Sequence, residues 1–199
     1  MPGVYTVTTS FAKRRPTLRG TLTASGAPVA GALLDVLAKN RISRANWAKI
    51  GEVRTGAKGR YRIRVRGGPS RALRVAYKPF LGDTDSTSFT EVSHRVRARV
   101  DLRAMTRHVG LRGRARFSGK VRGGYVPRRG KLIELQAYDA GRWRTFRTVR
   151  TIRSGSFSTS YSFKHVNAPR SFRFRARARY EPGYPFMLGV SRTTRVRVG

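Results

Sequence analysis

Nine carboxylates, three histidines and no cysteine are the side chains from which this chain would have to build an acid–base, nucleophilic or metal site. His94, His108 and His165 are scattered, without the paired spacing that sets two imidazoles on one metal ion. Neither a G-x-S-x-G nucleophile turn nor a phosphate-cradling P-loop is present. Asp35 and Glu134 occupy the same place in two copies of one sequence pattern, so they are not a carboxylate pair within one site. They suit an ion pair with an Arg on a neighbouring strand. Gly82-Asp83-Thr84-Asp85-Ser86-Thr87-Ser88 sets two carboxylates two residues apart, as a calcium loop does, but lacks the later Gly and bidentate Glu of an EF-hand. An ordinary polar turn is the better reading. The sequence therefore predicts no catalytic residue, no metal site and no cofactor, and identifies no small-molecule substrate.

The cations are another matter. Lys and Arg number 44 against 9 Asp and Glu, a formal charge of +35, and most of the 44 are Arg. Such a field draws in polyanions: nucleic acid, an anionic wall polymer or an acidic membrane face. Compositional drift in a GC-rich genome would produce the same excess on a tolerant surface. The arginines fall at alternate positions: Arg60, Arg62, Arg64 and Arg66; Arg95, Arg97 and Arg99; Arg112, Arg114 and Arg116; Arg173, Arg175, Arg177 and Arg179. On a strand, each set shares one face. Like charges across a sheet repel, so these rows call either for an anion or for dispersal among Ser and Thr. A basic loop over residues 120–130 adds Arg128 and Arg129, next to Lys131, with Tyr125 placed to stack a base or sugar. One reading is a polyanion-binding face; the other is a solvated face with splayed, screened charges. No helix-turn-helix, zinc-finger spacing or single-strand-RNA aromatic signature points to sequence-specific recognition.

Trp47 and Trp143 beside turns would suit a carbohydrate platform, but their equivalent surroundings favour each indole packing on its own core. Tyr180, Tyr184 and Phe186, near Pro182 and Pro185, form a ligand lip or a loop plug.

The elements that position these residues follow from a duplication. Residues 131–163 read KLIELQAYDAGRWRTFRTVRTIRSGSFSTSYSF, and residues 32–65 are a worn copy, ALLDVLAKNRISRANWAKIGEVRTGAKGRYRIRV. Leu34, Val36 and Ala38 match Ile133, Leu135 and Ala137, with the period of two of a half-buried strand. Trp47 matches Trp143, Ile50 Phe146, Val53 Val149 and Arg54-Thr55 Arg150-Thr151. Gly59 and Gly155 match at turns that need positive φ, and Tyr61 and Phe157 follow each by two residues as structural core positions. Residues 47–55 and 60–66 are expected to form a hairpin about Gly56–Gly59, and residues 89–100 to close the first domain. The second domain has expected strands near 111–118, 131–138, 142–152, 156–163, 172–178 and 192–198. About seven strands in each hundred residues predict an all-β chain of two tandem immunoglobulin-like β-sandwich domains, residues 1–100 and 101–199, joined without a linker. The strand order, fibronectin-like or transthyretin-like, stays open, and an OB-type barrel is the weaker alternative.

The run Gly141-Arg142-Trp143, Arg150-Thr151, Gly155-Ser156-Phe157 and Tyr184-Pro185-Phe186 resembles tandem bacterial Ig-like repeats of secreted or surface proteins from high-GC Gram-positive bacteria. Residues 31–35 and 59–61 resemble carboxypeptidase-regulatory-like modules. The resemblance implies a non-catalytic structural, spacer or adhesion role outside the cell or in its envelope, with neighbouring domains of a longer chain as partners. The N-terminus lacks the basic-then-apolar order of a signal peptide, so the chain is expected to be a fragment of a secreted protein, with a cytoplasmic protein as the alternative. A non-specific nucleic-acid or other polyanion-binding protein is the rival function.

Overall fold

The computed structural model describes residues 5–11, 15–78 and 88–199. All regular structure among them is β, and the chain divides into two compact units, Met1–Val96 and Arg97–Gly199.

In the first unit, alternation sorts each strand into an inner and an outer face. Strand β5 (Leu33–Asn40) buries Leu34, Val36 and Ala38 and turns Asp35 outward. It lies between β8 and β6 in a five-stranded sheet ordered β1 (Tyr5–Thr9), β9 (Ser88–Val96), β8 (Arg71–Tyr77), β5, β6 (Ala48–Arg54). β1 lies at the edge of this sheet and runs parallel to β9. Facing this sheet, β2 (Thr17–Thr21) pairs antiparallel with β7 (Arg60–Arg64). Leu18, Leu34, Val36, Leu73 and Val75 form the core between the two sheets. A small ribbon of β3 (Thr23–Ala24) and β4 (Ala27–Pro28) follows β2.

The second unit repeats this plan with more complete sheets. Strand β10 (Val100–Ala104) pairs with β12 (Arg114–Val121), which pairs with β15 (Ser156–Ser162). The other sheet runs β11 (His108–Val109), β18 (Thr194–Val198), β16 (Arg170–Ala178), β13 (Leu132–Asp139), β14 (Arg142–Arg150), with β17 (Gly189–Val190) on β16. Phe117, Phe163 and Phe174 fill its core with Ala115 and Val196. This two-sheet order is fibronectin-like, and each unit is an Ig-like β-sandwich.

The duplication extends to single hydrogen bonds. Leu22 N donates to Gly59 O at 2.9 Å, and Val121 N to Gly155 O at 3.0 Å. Ala32 N donates to Thr55 Oγ1 at 2.9 Å, and Lys131 N to Thr151 Oγ1 at 3.0 Å. Arg54 Nη1 reaches Gly31 O at 3.1 Å, and Arg150 Nη1 reaches Gly130 O at 3.2 Å. Both inner strand pairs carry a bulge at the same place, opposite Val36/Leu37 and Leu135/Gln136, which leaves the matched residues Ile50 and Phe146 as the extra ones.

Three expectations need correction. Residues 47–55 and 60–66 do not form a hairpin: β6 pairs with β5 and β7 with β2, so the Gly56–Gly59 turn carries the chain from one sheet to the other. A tight glycine turn serves either path, and the facing apolar rows decide between them. Residues 89–100 do not close the first domain as one strand: β9 ends at Val96, and Val100 opens β10 of the second unit. The strand expected over 111–118 starts later, because Arg112 lies in a turn at φ 60°. The calcium-like stretch read at Gly82–Ser88 falls outside the described residues, except for Ser88, which opens β9.

Candidate polyanion-binding face

The folded units sort the arginine rows by what each guanidinium already touches. In the second unit, β16 is central and its outer row is engaged. Arg173 stacks on the Tyr138 ring at 3.8 Å. Arg175 stacks on Trp143 at 4.2 Å and donates from Nε to Gln136 Oε1 at 2.8 Å. Burial, and then the charge of Arg177, lowers the Arg175 pKa. Arg177 donates from Nε to Glu134 Oε2 at 2.7 Å, and Arg179, just past the strand, lies 3.4 Å from Glu134 Oε1. On β12, Arg114 and Arg116 stand opposite Ser162 and Ser160 of β15, with Arg114 Nε donating to Ser162 Oγ at 3.2 Å. Here like charges are dispersed among hydroxyls.

Lys131, expected with Arg128 and Arg129 in a basic loop, is withdrawn from the surface. It is 1% exposed, and its ammonium bonds Glu181 Oε2 at 2.8 Å beneath the Tyr184 ring. Burial pushes the Glu181 carboxyl up, but the hydrogen bonds from Lys131 and from Leu132 N outweigh it and hold the pKa below its ordinary value. Arg128 and Arg129 remain exposed on a turn closed by Gly130 N donating to Pro127 O at 2.7 Å. Tyr125 packs edge-on against Phe186. Tyr184 and Phe186 are buried as a plug, whereas Tyr180 is 72% exposed.

The first unit differs. On β7, Tyr61 and Ile63 point inward, and Arg60, Arg62 and Arg64 point to solvent. Opposite them on β2 stand Thr21, Arg19 and Thr17, so Arg19 and Arg62 face each other directly. Arg66 follows the strand, exposed, with its carbonyl accepting from the buried Arg71. The three described carboxylates of this unit are all engaged on the other sheet: Asp35 and Glu52 with Lys49 at 2.7 and 3.1 Å, and Glu91 with Arg74 at 3.0 Å. Among the described residues, Arg19, Arg60, Arg62 and Arg64 therefore have no countercharge. Four guanidiniums share one two-stranded face, with a like-charged pair directly across it, and like charges directly opposite each other destabilise the pairing.

The indoles also differ from expectation. Neither belongs to a core cluster; each is half-buried on the outer face of its larger sheet. Arg74 of β8 lies 4.3 Å from the Trp47 centroid, and Arg175 of β16 lies 4.2 Å from that of Trp143. The two arginines correspond, since Ala38 pairs with Leu73 and Ala137 with Phe174, each one residue before its Arg. Arg74 also covers Phe89 at 3.9 Å. Gly59 and Gly155 take positive φ, 66° and 84°, as the turn pattern requires. Tyr61 and Phe157 lie across the strand over Gly20 and Gly119, where a Cβ would meet the Tyr61 hydroxyl at 2.4 Å and the Phe157 ring at 2.2 Å. Sequence reading passed over Gly20, Gly119, Arg19 and Arg74, and took Arg175 only as one of an alternating row; aligning the copies upstream of residue 32 would have exposed the Gly20–Gly119 pair.

No family model matches the chain, and no curated protein does. Solved structures that are similar include the D0-D1 domain of intimin, at 12% identity and TM-score 0.36 over 98% of this chain and 95% of that one. The Yersinia pseudotuberculosis adhesin InvE aligns at 13% identity and TM-score 0.40 over 97% of this chain, which spans 56% of that one. The chicken interferon gamma receptor alpha chain aligns at 10% identity and TM-score 0.45, over 98% and 95%. The likeness is one of fold. Strand order and outer faces together define a tandem Ig-like β-sandwich protein whose first unit carries uncompensated positive charge.

Proposed function

We propose that this protein is a non-catalytic structural or adhesion module of the cell surface or envelope that holds a linear polyanion on the outer face of β2 and β7. The observation that carries this reading is the set Arg19, Arg60, Arg62 and Arg64, exposed and without a carboxylate among the described residues. Alternate residues of one strand lie about 7 Å apart, close to the phosphate spacing of an extended polymer. The contacts are to backbone charge, so the face reads charge density and not sequence. Arg128 and Arg129 supply a second, smaller cluster in the other unit.

The test is titration of the full chain with a poly(glycerol phosphate) wall polymer and with mixed-sequence duplex DNA at rising salt. Both polymers are expected to bind at low salt, and the R60S/R62S/R64S variant to bind both more weakly. Retention of one defined DNA sequence at physiological salt, with no binding of the wall polymer, would contradict the proposal and favour a nucleic-acid-binding protein.

A further inference from the structure

The two units differ in one link. Val65 and Tyr161 each lie six residues past the matched turn glycine, Gly59 or Gly155. From there the first unit reaches Leu73 in eight residues, and the second reaches the matched Phe174 in thirteen. The second link, from β15 across to β16, is therefore five residues longer. The short link closes over Arg71, which is buried and donates to Arg66 O. A Cβ at Gly68 would lie 2.6 Å from Arg71 Nη1, so the chain lies against the guanidinium. Phe172 stands at the place of Arg71, and the longer link leaves a cavity of about 430 Å³ beside it. Two backbone bonds shape this link at its root: Phe163 N donates to Gly113 O at 2.9 Å, and Val166 N to Phe163 O at 3.1 Å.

We propose that this cavity is a binding site for a small aromatic carboxylate. Its volume is that of a small-molecule site. The deeper lining is mostly carbon: Phe163 is buried, and Tyr161, Val166 and Phe172 are half-buried and pack on the same core. The Phe163 centroid lies 5.0 Å from that of Tyr161 and 4.9 Å from that of Phe172, with the rings tilted at 69° and 47°. A flat guest ring joins such a set edge to face. The outer lining is polar, with Lys164, His165, Asn167 and Arg170 exposed around the mouth. Among the described residues, the side chains of Lys164, His165 and Asn167 make no hydrogen bond or ion pair. Arg170 lies 5.5 Å from the Phe172 centroid, which leaves its edge for the two oxygens of a carboxylate. The carboxylates of this unit, Asp101, Glu134, Asp139 and Glu181, are all ion-paired with other cations. The guest therefore has an anionic head and a ring for a body. A sugar acid fits less well, because it would turn hydroxyls towards a wall that offers them few partners.

The site lies in the second unit and does not rest on the face of β2 and β7, so the two readings fail separately. The probe is naphthoate, titrated into the isotope-labelled full chain and followed by amide chemical shifts. Naphthylmethanol carries the ring without the charge, and glucuronate carries the charge without the aromatic ring. Naphthoate is expected to shift the amides of residues 161–172 saturably, with a dissociation constant of about 1 mM or below. Both controls are expected to bind at least about tenfold more weakly, as is naphthoate to the K164S/R170S variant, the size of one lost charge-assisted hydrogen bond. The R142S/R147S variant removes as much charge from exposed positions of β14 and should leave naphthoate binding unchanged. Equal losses in the two variants would mean capture by net charge and would overturn the proposal. Glucuronate or naphthylmethanol binding as tightly as naphthoate would overturn it too, as would no saturation up to about 10 mM naphthoate.

Discussion

A guanidinium over an indole is attracted by the ring quadrupole and still keeps its edge for hydrogen bonds, so Arg74 on Trp47 and Arg175 on Trp143 hold the outer faces of the larger sheets in order. If the pairs are equivalent, double-mutant cycles with W47A/R74A and W143A/R175A should each give a coupling of about 0.5–1 kcal/mol by urea denaturation. Coupling in one unit only would break the equivalence. His94 makes a second residue-scale prediction. It is fully buried on β9, with Nε2 bonded to Thr9 Oγ1 of β1 at 2.9 Å and Arg71 as its cross-strand partner. Burial, and then the charge of Arg71, lowers its pKa from 6.5 to about 4. Between those values the unfolded chain takes up a proton that the folded chain refuses. Stability is therefore undiminished by this group above about pH 6.5 and falls as pH drops towards 4, by up to about 3 kcal/mol. The H94Q variant should show a flatter loss over that window than the parent when urea midpoints at pH 7 and pH 4.5 are compared.

At the scale of elements, the glycine turns that pass the chain between sheets leave no room for a side chain. A Cβ at Gly59 would lie 2.4 Å from Leu22 O, and one at Gly155 2.8 Å from Val121 O, both on positive-φ backbone. G59A and G155A are each expected to cost about 2 kcal/mol or more, whereas G141A, at φ 79° with nothing within 4 Å, should cost only about 1 kcal/mol. Thermal denaturation of the three variants checks the order. These turns also show what could be read without coordinates. The alternation of Leu34, Val36 and Ala38, the matched Thr55 and Thr151, and the Gly–x–aromatic step are local, and each stands where the pattern put it. The partner of β7 was not readable, because a short Gly turn fits a hairpin or a crossing equally, and Tyr61 finds Gly20 across some forty intervening residues. The indoles were misread for a related reason. An outward Trp looks like a core Trp until the Arg that covers it is brought over from a distant strand.

At the scale of the whole molecule, nine carboxylates cannot neutralise 44 cations, so where those nine sit decides which surface stays charged. Among the described residues they serve the larger sheets and the Lys131 and Asp101 clusters, and none serves β7. The two units thus share one plan but not one electrostatic surface: arginines alternate with serines across β12 and β15, and stand opposite Arg19 and Thr across β2 and β7. The most direct test is the slope of log binding constant against log salt for a phosphate polymer, measured for the parent chain, R60S/R62S/R64S and an equally discharged control, R114S/R116S/R173S. The account predicts that the first variant loses about two to three units of slope, one for each phosphate contact removed, while the control loses less than one. Equal losses in both variants would show that net charge alone binds the polymer and would contradict a localised face.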